Sequence, residues 1–259
     1  MKNIQNIVVI TPVWNESLGM IQQFLEGIDK VRRKLSDQGI GFRHFFLNDG
    51  AVNLPEEYSI LVRHQKNEGL AKTLLDGYKA VFQIKTKPDL VIKLDCQEHD
   101  PEKILLIVDH CSHSSAQVLF LPVWYWTEKE ERPLMIDIVS LIVRFVSSLN
   151  PMDKGTIFEI FDRRLPLGYQ CFRIEALELL LPDIEKGIRV FQKKFGKPAT
   201  WGLDFLIILL AANKIPGSLD FVFGGWSKPW QENRSRKKIE IQRQKIEIMV
   251  EVARELGCK

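Results

Sequence analysis

Asp89-Leu-Val-Ile-Lys-Leu-Asp-Cys-Gln-Glu-His-Asp-Pro101 is the stretch on which the fold turns. Leu90 to Leu94 is apolar except for Lys93, the pattern of a strand covered on both faces. Asp95, Gln97, Glu98, His99 and Asp100 follow at once. Pro101-Glu102 then opens a helix, with proline where its missing N–H costs nothing. In an open α/β sheet, ligands gather at the carboxyl ends of the strands. Asp95 and Gln97, a carboxylate and an amide two residues apart, offer two oxygens there to a hard cation, Mg2+ or Mn2+. The plainer alternative has Asp100 N-capping the helix and Asp95 fixing a turn. The surrounding chain has to choose between them.

Working outward, Ile7 to Ile10 is another continuous apolar run, ending in Thr11-Pro-Val-Trp-Asn-Glu16. Ser17 is placed to cap a helix whose apolar positions Leu18, Ile21, Leu25, Ile28, Val31 and Leu35 share one face. Arg32-Arg33-Lys34, near its end, suits the helix dipole and is expected to be a solvated face. Phe42 to Leu47 is a second strand, stopped by Asn48-Asp49-Gly50, and Ile60 to Val62 a short third. His64 to Gly69 leads into a helix with Leu70, Leu74, Gly77, Tyr78 and Val81 inward. Gly77 there predicts close approach of another backbone. Later segments predict strands over Gln117 to Val123 and Ser218 to Phe223, and a short strand or hairpin edge over Leu167 to Phe172. Helices are predicted over Pro133 to Leu149, Ile174 to Leu181, Asp183 to Phe195 and Trp201 to Asn213. A terminal helix from Arg234 carries an apolar seam of Ile239, Ile246, Met249, Ala253 and Leu256. That seam docks on the domain or pairs with a second copy.

Strand–helix alternation of this regularity predicts an α/β fold, a mainly parallel central sheet flanked by helices. We expect one domain over residues 1–230, with halves meeting near 125/126, and a C-terminal helix over 231–259. The chain has 259 residues, 45% apolar and 27% charged, which suits a globular protein of this size. A net charge of +3 gives no electrostatic argument for nucleic acid. No apolar run approaches a membrane span and no signal peptide is recognisable. Cys96, Cys111, Cys171 and Cys258 lack any C-x-x-C spacing, which speaks against disulfides and thiolate metal sites. A cytoplasmic setting is expected, with peripheral attachment to a membrane left open.

Glu16, Asp49 and Asp95 each follow an apolar strand, so the alternation brings them to one rim of the sheet. Carboxylates there suit hydrogen bonds to a base and ribose, and a cation held against a diphosphate. On these residues the N-terminal half resembles the family-2 glycosyltransferases of the GT-A fold, and among them the dolichol-phosphate mannose synthase type. Pro12-Val-Trp-Asn-Glu16 stands where that family has P-x-Y-N-E, and Asn48-Asp-Gly-Ala51 where it has D-D-G-S. Asn67-Glu-Gly69 and Leu75-Asp-Gly77 match its N-x-G segment and the helix after it. Asp95-Cys-Gln97 with Pro101-Glu102 matches its D-x-D metal motif. Further on, Gly168-Tyr-Gln-Cys-Phe-Arg173 and Gly202-Leu-Asp204 are similar to its G-F-R-x-F-R segment and its acid-bearing helix.

The resemblance implies an inverting, metal-assisted transfer of a sugar from a UDP- or GDP-sugar to an acceptor: a polyprenol phosphate, a sugar or a protein. It implies nucleotide contacts from Pro12, Trp14, Glu16, Asp49, Asn67 and Asp95, and metal ligation by Asp95 and Gln97; Lys72, one turn into its helix, is placed either to reach a phosphate of the nucleotide or to be solvated. An alcohol acceptor needs a general base, for which Asp204 is the first candidate and Asp162 the second. A phosphate acceptor needs none, and Arg163, Arg164 and Arg173 are then candidates to hold it. Trp124, Tyr125 and Trp126 suit a stacking platform for sugar or lipid, or a loop packed on the core. His110 and His113 read as an exposed helix end. The chain also departs from the family. Asn48 and Ala51 replace an acid and a hydroxyl, Gln97 replaces the second metal carboxylate, and Pro122-Val-Trp-Tyr-Trp126 stands where G-S-R is usual. These departures keep open a catalytically inactive nucleotide-sugar-binding relative. A nucleotidyltransferase of similar sheet is a further alternative, although Thr11 to Ser17 lacks its glycine- and basic-rich loop.

Overall fold

The apolar runs fall in the middle of one sheet. The computed structural model describes residues 4–50, 53–96, 100–121, 124–125, 169–196, 203–215, 217–222, 226–227 and 251–257. In chain order these form β1 (Asn6–Val13), α1 (Leu18–Asp37), β2 (Gly41–Asn48), β3 (Ile60–Arg63), α2 (Leu70–Val81), β4 (Leu90–Leu94) and α3 (Lys103–His113). There follow β5 (Val118–Leu121), β6 (Trp124–Tyr125), β7 (Tyr169–Arg173), α4 (Ile174–Phe195), α5 (Leu203–Lys214), β8 (Leu219–Phe221) and β9 (Trp226–Ser227). Residues 251–255 are helical. Among the described residues the main sheet has seven strands in the order β3-β2-β1-β4-β7-β5-β8, and β6 pairs with β9 apart from it. All its ladders are parallel except those of β7, which runs antiparallel to both β4 and β5.

Each central strand feeds two cores. Val8, Ile10 and Val91 pack on the side of α2, α4 and α5, while Ile7, Val9, Leu90 and Ile92 pack on the side of α1 and α3. The period-2 alternation of side chains therefore leaves no polar face on β1, as its sequence foretold. Ser17 caps α1, its Oγ accepting from the Met20 amide at 3.2 Å. Of the basic run, Arg32 pairs with Asp29 and Lys34 with Glu102, all exposed.

Three expectations need correction. Of the two readings of Leu167 to Phe172, the short strand holds and the hairpin edge does not: β7 lies inside the sheet between β4 and β5, buried throughout. Its glutamine and arginine are both buried, against the tertiary partners described below. Second, the helices predicted on either side of Pro182 are one, α4. Pro182 and Glu178, whose carbonyl the proline frees, are both exposed, so water can take that carbonyl. Leu177, Leu180, Ile184, Ile188 and Phe191 keep a single buried face across the proline. Third, what approaches Gly77 is a side chain and not backbone: a Cβ there would lie 2.9 Å from Leu47 Cδ2 and closer still to Cδ1. The terminal seam docks within the chain at its described end, where Val252 and Ala253 are fully buried in the core beside α4 and α5. Ile239, Ile246, Met249 and the helix expected over Pro133 to Leu149 lie outside the described residues.

Candidate functional site

Lys93 and Asp95, two apart on β4 and its exit, share the sheet face that carries α2 and α5. Lys93 Nζ lies 2.8 Å from Asp95 Oδ1, the lysine side chain 2% exposed and the aspartate 35%. Across the ladder Lys93 is paired with Gln170 of β7. The Gln170 amide donates to Asp204 Oδ1, and its Oε1 accepts from Tyr78 Oη at 3.3 Å. Asp204 stands in the first turn of α5. Burial raises its carboxyl above the usual carboxylate range and Asp95 adds to the rise. The Lys93 charge and the Gln170 hydrogen bond act in the opposite direction. Burial and the same two aspartates push the Tyr78 phenol well above its ordinary value. The structure thus joins Asp95 and Asp204, the two acids singled out from distant motifs, through a shared polar network beneath the carboxyl end of β4.

The β1–α1 loop supplies the neighbouring wall. Pro12 is buried in β1 opposite Leu47, and Trp14 beyond it is 48% exposed, which excludes a core role. Glu16 folds back on its own loop, Oε2 accepting from the amides of Trp14 at 2.7 Å and Asn15 at 3.1 Å. Its charge still reaches the β4 exit. The Cys96 thiol is pushed up to about 12, chiefly by burial and then by Glu16 and Asp95. The far side of that exit is clamped: Tyr169 Oη donates to the Asp100 carbonyl at 2.8 Å. A Cβ on Gly27 of α1 would lie 2.8 Å from Pro101 Cγ. Asp100 starts the α3 turn through its carbonyl, which accepts from the Lys103 amide at 3.2 Å, and not through a capping side chain.

At the end of β2, Asp49 is 4% exposed and engaged on both oxygens. Oδ1 accepts from the Glu68 amide at 2.8 Å and meets His64 Nδ1 at 2.9 Å, and Oδ2 accepts from the Gly69 amide at 3.1 Å. His64 Nε2 reaches Asp76 Oδ2 at 3.1 Å, and Lys72 pairs with the same carboxylate. Asp49 therefore holds the β3–α2 loop to the strand end. Gly50, at φ 86°, tucks beneath that loop, where a Cβ would lie within 2.6 Å of the Lys66 nitrogen. Asn67 is exposed on the loop. Sequence reasoning gave no role to Lys93, Gln170, Tyr78, His64 or Asp76. Lys93 alone carried a signal, since a lysine inside an apolar strand is seldom buried without a partner.

Other candidates separate from this rim. Arg173 is 4% exposed and neither a surface charge nor aimed at an acceptor. It donates to the carbonyls of Ala116 at 2.9 Å, Cys111 at 2.5 Å and Ser114 at 3.3 Å, closing the end of α3. His110 is half-buried against Asp220 at 2.6 Å, not exposed as expected, whereas His113 is exposed. Gln97, Asp162, Arg163, Arg164 and Trp126 lie outside the described residues, as do the side chains of Trp124 and Tyr125.

Among the described residues no group of three His, Cys, Asp or Glu side chains could hold a metal ion. The hard oxygens of Asp95 suit a cation that keeps most of its shell as water and phosphate oxygen, as Mg2+ does. One carboxylate is thus a fit for a cation shared with a diphosphate, and a poor fit for a protein-enclosed site.

No protein-family model matches the chain, and no curated protein matches it. Among solved structures it is similar to mannosyl-3-phosphoglycerate synthase from Rubrobacter xylanophilus, with a TM-score of 0.59 and 11% identity, covering 98% of this chain and 75% of that one. A glycosyltransferase involved in the glycosylation of the major capsid of PBCV-1 gives 0.43 at 10% identity, covering 95% and 98%. The 4-diphosphocytidyl-2C-methyl-D-erythritolsynthase from Anaerococcus prevotii gives 0.37 at 10%, covering 94% and 99%. These last two are too loose to argue from. The first shows the fold: this chain is built on the α/β sheet of GT-A-type glycosyltransferases.

Proposed function

We propose that this protein is a glycosyltransferase that moves a sugar, with inversion, from a nucleoside diphosphate-sugar to an acceptor, and that it is of the family-2, polyprenol-phosphate type. One observation carries it: Asp95 and Asp204, the acids expected to face donor and acceptor, converge at the carboxyl end of β4 in a GT-A-like sheet. Asp95 and Gln97 would hold Mg2+ or Mn2+, which stabilises charge building on the departing diphosphate. Trp14 and the backbone around Glu16 border the nucleotide. Where the acceptor is an alcohol, Asp204 takes its proton; a phosphate acceptor needs no base. The raised carboxyl of Asp204 makes it the stronger base, while Lys93 limits the rise.

The alternative, an inactive nucleotide-sugar-binding relative, is favoured by Ala51, Gln97 and Pro122-Val-Trp-Tyr-Trp126, which stand where the family carries a hydroxyl, a metal carboxylate and a basic residue. Calorimetry with UDP, GDP and their sugars, with and without Mn2+, tests both. Mn2+-dependent binding is expected, weakened at least about tenfold in Asp95→Ala. Binding of no nucleotide at all would sink the proposal. Binding without hydrolysis or transfer across a donor panel would select the inactive relative.

A further inference from the structure

An ammonium in the middle of a central strand is tolerated only beside counter-charge. Lys93 is 1% exposed, bonded to Asp95 Oδ1 at 2.8 Å and paired across the ladder with Gln170, whose amide is bonded to Asp204. It therefore lies beneath the rim, within reach of both acids that the proposed transfer uses, yet the transfer itself gives it nothing to do. We propose that Lys93 is a positioning residue that couples cation binding to nucleotide binding, so that the rim holds a divalent cation only together with a nucleoside diphosphate. This rests on the function proposed above.

Lys93 fixes the orientation of Asp95 by holding one oxygen, and the carboxylate remains 35% exposed. It also cancels the charge that would draw a cation in. A lone dication approaching Asp95 meets the ammonium behind it, and the companion ligand expected from the sequence, Gln97, is neutral. A diphosphate supplies the missing negative charge. In turn a diphosphate arriving without a cation meets Glu16, Asp95 and Asp204. Each ligand makes room for the other, and the coupling is reciprocal.

Electron paramagnetic resonance of free Mn2+ measures the coupling directly, without a turnover assay. Titrations of wild type and Lys93→Met are run alone and with saturating UDP or GDP. In wild type the nucleotide is expected to tighten Mn2+ binding by about tenfold or more. In Lys93→Met, nucleotide-free binding is expected to tighten by about tenfold and the coupling to fall toward one. A lysine that only neutralised these acids for folding is separated by making the same comparison between Asp204→Asn and Lys93→Met/Asp204→Asn, where the neutral side chain needs no counter-charge. Equal Mn2+ affinity with and without nucleotide in wild type overturns the coupling, as does undiminished coupling once Lys93 is removed. If no nucleotide binds to any of the proteins, the function itself fails, and the coupling with it.

Discussion

His44 lies on β2, 6% exposed, with Nε2 3.0 Å from Thr11 Oγ1 and its ring edge-on to Phe46 at 4.6 Å between centroids. Burial first, and the Arg32 charge second, lower its pKa from 6.5 to about 3. The folded protein thus keeps this ring neutral where the unfolded chain protonates it. Its contribution to stability is whole above pH 6.5 and is lost progressively as pH falls from there toward about 3. His44→Gln carries no such titration. The stability gap between wild type and His44→Gln, measured by urea unfolding, should shrink by roughly 1.4 kcal/mol per pH unit between pH 6 and 4. A gap that stays constant would mean the ring is charged in the fold. The residue type alone does not show this, for His44 and His113 look alike in the sequence and only packing separates them.

At the scale of elements, Gly77 shows two local effects in opposition. Alanine in mid-helix is worth about 1 kcal/mol over glycine, but its Cβ would be forced into Leu47 at the end of β2. Overpacking a core costs typically 1–3 kcal/mol, so Gly77→Ala is expected to destabilise by about 1 kcal/mol in the same unfolding assay. A stabilised variant would show that Leu47 moves aside freely. Periodicity located α1, α2, α3 and α5 and the first four strands within a few residues, because each has an apolar face or run set by its own sequence. It failed where partners from elsewhere decide. The polar side chains of β7 are accepted in mid-sheet because Gln170 finds Tyr78 and Asp204, and Arg173 finds three carbonyls. Helix α4 runs through Pro182 because its buried face outweighs a break of about 3 kcal/mol.

For the whole molecule, the last helical turn completes the core. Val252 is fully buried, a Cβ on Gly187 of α4 would lie 3.4 Å from Val252 Cγ1, and Lys194 of α4 pairs with Glu251 at 3.2 Å and Glu255 at 2.6 Å. Val252→Asp should lower stability by about 3 kcal/mol. The loss should not depend on protein concentration, since the contact lies within one chain; a concentration-dependent midpoint would place the seam between copies. Among the described residues no helix is long and apolar enough to cross a membrane. By itself the sequence determined the α/β class, the strand ends and the rim to which Glu16, Asp49 and Asp95 belong, because these follow from local periodicity and chain order. Only the tertiary structure decided what those acids touch. It closes Asp49 on the amides of a loop, and it sets Lys93 against the carboxylate of Asp95. A charge is assigned its role by its nearest partners, and those partners come from strands and helices far away in the chain.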